Sequence, residues 1–128
     1  MTTRLEHANI TVTDAERTAA MLVDLFDWTI RWKGESKLGG RSIHVGAPGT
    51  DNDYLAIYTT PEPPTDWASP IDIGGLNHLG LVVDDLDEVE RRVIAAGLTV
   101  TSRDEYDPGR RFYFDDHDGI EFEVVSYS

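Results

Sequence analysis

Residues 5–18, LEHANITVTDAERT, run from a short strand pattern into a helix start and set His7 within the strand. Seventy-one positions on (78 − 7 = 71) the chain repeats the phrase as residues 76–89, LNHLGLVVDDLDEV, with His78 where His7 stood. With the histidines superposed, Val12 meets Val83 and Asp14 meets Asp85. The helical patterns that follow run in step. Ala19, Leu22, Val23 and Phe26 form one apolar stripe, and Leu86, Val89, Val93 and Ala96 form another that stops at Gly97. Thr13 with Glu16 reads as a capping box for the first helix, and Asp85 with Glu88 as its acidic counterpart for the second.

Three strand-like stretches follow each helix: WTIRWKG (28–34), RSIHVG (41–46) and YLAIYTT (54–60), then LTVTSR (98–103), RRFYFDD (110–116) and IEFEVVSY (120–127). GRSIHV (40–45) lies over GRRFYF (109–114), and YLAIY (54–58) over EFEVV (121–125). Residues 60–75 are rich in proline, glycine and polar residues, as a surface linker is. The expected fold is α+β. Two tandem βαβββ modules (1–60 and 76–128, joined by a linker at 61–75) make one domain over 1–128, and their curved mixed sheets form a cleft.

Composition removes several function classes. There is no cysteine, so disulfides, thiolate ligands and a cysteine nucleophile are excluded. Acidic residues outnumber basic ones 24 to 11, and the net charge of −13 repels nucleic acid and anionic membrane surfaces. No apolar run reaches the roughly 20 residues of a membrane span, and the first residues lack a signal-peptide layout. A cytoplasmic protein with a small-molecule partner, and neither nucleic acid nor membrane, is expected.

Alternation along the strands sorts the remaining candidates. Ala8, Ile10 and Val12 suit a helix-covered face, which turns His7, Asn9 and Thr11 the other way. Ile120, Phe122 and Val124 do the same in the last strand and turn Glu123 away from the helix layer. If the helix-averted faces line a common cleft, His7, His78 and Glu123 can converge there. Two imidazoles and a carboxylate suit Fe, Mn, Zn, Co or Ni, with positions left for water and substrate. The competing reading is two ordinary strand histidines copied with the module.

The repeat, the HANITVTD and HLGLVVDD openings and the FYFDDHDGIEFEV ending resemble the vicinal oxygen chelate superfamily, which includes glyoxalase I, bleomycin-resistance proteins, fosfomycin-resistance enzymes and extradiol dioxygenases. The resemblance implies paired βαβββ modules, a homodimer, and a divalent metal ion that chelates adjacent oxygens of a substrate. It places His7, His78 and Glu123 at the metal positions. It also implies a fourth ligand on the last strand of the first module, where Ala56 stands, which disfavours glyoxalase I chemistry. The ring-cleaving signature is matched at Phe112, Tyr113, Asp116, Gly119 and Glu123. It departs at His117 and lacks a histidine five to seven residues before Phe112, where Asp104 and Tyr106 mark the window's ends. Arg110 and Arg111 are anion-binding candidates, as in fosfomycin-modifying enzymes.

His44 and Tyr113 occupy equivalent cleft-side positions and are candidate acid–base residues. Tyr54 and Tyr58 share the face of Ala56 and, with Arg111, are candidate substrate contacts; packing tyrosines with wet hydroxyls are the plainer reading. His117 suits a turn. Trp28, Ile30 and Trp32 alternate along one strand, as a core face or a cleft wall. The expected function is a divalent-metal enzyme of the glyoxalase, bleomycin-resistance and dioxygenase family acting on a small oxygen-rich molecule, by dioxygenase-like or lyase/isomerase chemistry. The alternatives are a metal-free binder of a drug or metabolite and a fosfomycin-modifying transferase.

Overall fold

The computed structural model describes residues 1–37, 39–62, 64–66, 69–106 and 109–128. The chain forms two units, Met1–Pro64 and Thr65–Ser128, divided inside the proline-rich linker. The first unit contains β1 (His7–Thr11), α1 (Ala15–Phe26), β2 (Thr29–Glu35), β3 (Arg41–Gly46) and β4 (Tyr54–Thr59). The second contains β5 (Leu79–Val82), α2 (Leu86–Ala95), β6 (Val100–Tyr106), β7 (Gly109–Asp115) and β8 (Glu121–Ser126). The expected α+β plan of two βαβββ modules is what forms. The sheets run β1-β4-β3-β2 and β5-β8-β7-β6. In each, the first strand lies parallel to the last and the other pairings are antiparallel.

Each helix covers one face of its own sheet. In the first unit Ile10, Val12, Ile43, Val45, Leu55 and Ile57 are buried with Ala15, Ala19, Leu22 and Leu25 of α1. In the second, Phe112, Phe114, Phe122 and Val124 are buried with Leu86, Val89 and Val93 of α2. Phe114 and Phe122 stack with centroids 5.1 Å apart and planes 9° from parallel. The first helix departs from the expected stripe. Met21 and Leu25 are fully buried whereas Val23 and Phe26 are half-buried, so the covered face is rotated by a fraction of a turn. Its start differs as well: Asp14, not Thr13, is the cap, in an extended conformation with its carboxylate accepting from the Arg17 amide at 3.2 Å. Asp85 caps α2 as expected, accepting from the Glu88 amide at 3.1 Å.

The repeat extends to irregular details. A β-bulge lies between Ile30 and Trp32 in β2, and another between Val100 and Ser102 in β6. An extra residue reverses the side-chain phase of a strand. Ile30 therefore faces with Val45, while Trp32 pairs with His44 on the opposite face. Trp28, Ile30 and Trp32 do not share one face, and the bulge is the reason.

A tight turn sets the start of β8 and with it the placement of Glu123. The Asp116 amide donates to Ile120 O at 3.0 Å, and Asp116 Oδ1 accepts from the Asp118 and Ile120 amides at 2.8 and 2.9 Å. Gly119 has φ of 77°, which a side chain rarely adopts, and His117 lies in this turn as expected. Asp116 is 7% exposed, and burial pushes its carboxyl above the ordinary 3.8 against the pull of the two amides. The folded chain thus favours the neutral acid. Its contribution to stability is full below the unfolded value and is lost as pH rises through the raised folded value. Asp116→Asn keeps an acceptor for the amides and is expected to flatten that part of the urea stability curve between acid and neutral pH; an unaltered slope would show that other carboxylates dominate it. Phe114→Ala, by contrast, should cost about 3–5 kcal/mol by loss of packed volume in the second unit's core, measured by urea unfolding.

Candidate functional site

The helix-averted face of the first unit carries a run of rings. His7 stacks on Tyr54 with centroids 4.8 Å apart and planes 17° from parallel. Tyr54 meets His44 at 5.1 Å, and His44 meets Trp32 at 5.1 Å. Strand pairing explains the order, since His7 pairs with Tyr54 across β1 and β4, and His44 with Trp32 across β3 and β2. Trp32 is 47% exposed. Glu6 ties the edge of the run: its Oε1 lies 2.9 Å from His7 Nδ1 and accepts from the Tyr54 hydroxyl at 3.2 Å. The hydrogen bond from His7 holds the Glu6 carboxyl below its usual value, with a further contribution from Tyr54. Burial lowers the His44 pKa, which favours the neutral, proton-accepting form of its ring. Burial and the bond to Glu6 raise that of Tyr54.

Arg31, the residue at the bulge, lies beneath this run. Its guanidinium carbon is 5.2 Å from the Tyr54 ring centroid, and Nη2 donates to Ala47 O at 2.7 Å and Asn52 O at 3.0 Å. Gly46 makes room, because a Cβ there would stand 2.9 Å from Nη2 and 2.7 Å from Tyr54 Cβ.

The second unit carries charged groups on the corresponding face. His78 Nε2 lies 3.1 Å from Glu123 Oε2, and Glu123 Oε1 accepts from Arg111 Nη1 at 2.7 Å. The His78 ring is fixed from behind by Asn77, whose Oδ1 lies 2.8 Å from Nδ1 while its amide nitrogen donates to Pro70 O at 3.5 Å. Tyr113 pairs with Glu123 across β7 and β8 and meets His78 edge-on at 6.2 Å. Both histidines therefore engage Nδ1 with the side chain just before them, which leaves Nε2 as the ring nitrogen for a further partner, the arrangement in which metal-binding histidines are usually held.

The ladders also fix what corresponds to what. Ala56 pairs with Asn9 and His44, as Glu123 pairs with Gly80 and Tyr113. Ala56 thus occupies the first unit's equivalent of the Glu123 position, and it is 2% exposed. Of the other candidates, Tyr58 donates to Gly39 O at 3.2 Å and secures the hairpin between β2 and β3. Arg110 reaches Asp87 at 3.4 Å on the surface. Within either unit, no group of three or more His, Asp or Glu side chains gathers as a metal shell among the described residues.

The sequence model of the Glyoxalase/Bleomycin resistance protein/Dioxygenase superfamily matches residues 4–124. The chain belongs to this superfamily. Its fold is shared with a glyoxylase/bleomycin resistance protein/dioxygenase domain from Frankia sp. EAN1pec, at 24% identity over 98% of both chains and a TM-score of 0.84. The fosfomycin resistance protein FosX from Listeria monocytogenes, in complex with Mn(II) and sulfate, is similar at 21% identity, 98% of this chain, 93% of that chain and a TM-score of 0.73. FosX from Mesorhizobium loti aligns at 26% identity over 97% of this chain and 91% of that chain, with a TM-score of 0.71. No curated protein sequence matches the chain. Among the described residues no helix is long and apolar enough to cross a membrane.

Sequence reasoning missed Arg31, Glu6 and Asn77. For the last two a signal existed, since a hydrogen-bonding side chain precedes each repeated histidine. For Arg31 the bulge hid the contact. Arg31→Met removes two charge-assisted bonds to the loop before β4, so amide exchange across residues 47–54 should rise by about tenfold or more. Unchanged exchange would mean that the loop is ordered by its own turn.

Proposed function

We propose that this protein is a divalent-metal-dependent enzyme acting on a small oxygen-rich molecule, with His7, His78 and Glu123 as ligands. The observation that carries the reading is the His78–Glu123 pair. Two ligand atoms at right angles, each ~2.1 Å from one ion, stand ~3.0 Å apart, and Nε2 and Oε2 are 3.1 Å apart. With Nδ1 engaged by Asn77 Oδ1, Nε2 is the ring nitrogen turned to the carboxylate, and a cation shared by the two would make that contact favourable. His7, presented in the same manner by Glu6, is the third ligand, from the same chain or from a second copy in a homodimer. Mn(II) in the Listeria FosX complexes is consistent with a divalent ion.

A bound ion would supply Lewis acidity to two adjacent substrate oxygens. His44, whose pKa burial lowers, is suited to accept a proton, and Tyr113 beside Glu123 to hold or donate one. Trp32, exposed beside His44, offers a flat surface to a substrate ring. We assign the protein to the cytoplasm, with no nucleic-acid or membrane partner. The same ring-bearing face supports a second reading, a metal-free binder of a planar drug or metabolite.

Titration of the chelator-treated protein with Fe(II), Mn(II), Zn(II), Co(II) and Ni(II) separates the two. The enzyme reading expects about one equivalent bound, with affinity reduced at least ~10-fold by either His78→Ala or Glu123→Gln. No uptake of any of the five favours the binder. Turnover of catechols, α-keto aldehydes or fosfomycin by the loaded protein then identifies the reaction class.

A further inference from the structure

Glu123 is held by two groups at once, and the one that is not a metal ligand has a consequence for the ion. We propose that Arg111 is a positioning residue that restricts Glu123 to ligating through Oε2 alone, which keeps one more coordination position open for substrate; this rests on the metal reading above. Arg111 Nη1 donates to Oε1 at 2.7 Å, the length of a strong charge-assisted bond, while Oε2 faces His78 Nε2 at 3.1 Å. The side chains of Arg111 and Glu123 are only 13% and 14% exposed, so water competes weakly for either. The register places Arg111 opposite Val125 and Tyr113 opposite Glu123, so the guanidinium reaches its carboxylate along the diagonal of one sheet face. An ion that drew on both oxygens would have to share Oε1 with the guanidinium, whose positive charge repels it and whose bond already occupies a lone pair of that oxygen.

The contact is particular to this half of the chain. The ladder positions of Arg111 and Glu123 are held by Ser42 and Ala56 in the first unit, where neither partner exists. It also gives the arginine, which sequence reasoning offered to a substrate anion, a second role, since its guanidinium bonds the metal-ligand candidate itself.

The test is the number of waters on bound Mn(II), counted by water-proton relaxation. In a six-coordinate ion with two imidazoles and one carboxylate oxygen, three positions remain for water; a carboxylate that uses both oxygens leaves two. The expected counts are three for the wild type, two for Arg111→Met and three for Arg111→Lys, which retains a cationic donor. Two waters in the wild type, or three in Arg111→Met, overturns the proposal and reduces the pair to a structural tie between β7 and β8. If Arg111→Met does not fold, judged by circular dichroism, Arg111→Ala takes its place with the same expected count of two, and three waters there overturn the role of Arg111. Failure of the metal reading is distinguishable: Mn(II) uptake that is absent from the wild type, or undiminished in His78→Ala, refutes the site as well as the role of Arg111.

Discussion

A strand can turn its side chains in only two directions, and in this chain that constraint allocates chemistry. The inner strands of each sheet, β4 and β3 in the first and β8 and β7 in the second, spend one set of alternate positions on Ile, Val, Leu or Phe. Whatever stands at the other set is delivered to the opposite face. His7 and His78 come with β1 and β5, His44 and Tyr113 with β3 and β7, and Glu123 with β8. The parallel pairing of first and last strands then sets His7 against Tyr54 and brings His78 beside Glu123. The helices act only indirectly on the site, by anchoring which face is dry. Small pins support that anchoring: Thr59 Oγ1 accepts from the Ala15 amide at 2.7 Å and donates to Val12 O at 3.2 Å, and Ser126 at the matching place donates to Asp84 O at 3.4 Å.

The bulges show how one residue changes the allocation without disturbing the core. Inserted before Trp32, the bulge moves that indole from the helix side to the ring face, against His44, and leaves Ile30 facing with Val45. The displaced Arg31 then reaches the carbonyls of the loop that leads into β4. The same irregularity in β6 shows that the feature belongs to the module rather than to one copy. Its side-chain consequences differ because Thr101 stands where Arg31 does in the first unit, and its hydroxyl donates to Tyr113 O at 3.2 Å instead.

Much of this was legible from alternation and self-similarity. The βαβββ order, the equivalence of His44 with Tyr113 and of Ala56 with Glu123, and the cap at Asp85 all follow from period two, period 3.6 and an internal shift. What was not legible depends on events smaller than a pattern. A bulge cancels the parity on which the reading of Trp28, Ile30 and Trp32 relied. The choice of Asp14 over Thr13 as cap turns on one residue's backbone angles, which neither side chain declares. Arg111 was read as an anion-binding candidate, and its contact with Glu123 was not visible, because a diagonal cross-strand contact requires the register as well as the face. Tyr58 was read by its face alone, whereas its hydroxyl is engaged by Gly39 O.

The two units have diverged at one pair of positions in a way that electrostatics explains. A carboxylate on a largely buried strand position is costly unless cations or donors compensate it. Glu123 has both Arg111 and His78 within hydrogen-bonding distance. At the corresponding place in the first unit the arginine's position is Ser42, and the neighbour across β3 is His44, a ring whose charged form burial disfavours. A glutamate at position 56 would lose its solvent there without gaining a charge partner from either strand position. Ala56 removes that cost, and its small side chain lies at the ladder position beside the rings of His44 and Tyr54. At this ladder position the first unit thus presents a methyl group among rings, and the second presents the anion. That pairing of arginine with glutamate, and of serine with alanine, is why only the second of the two equivalent positions holds a carboxylate.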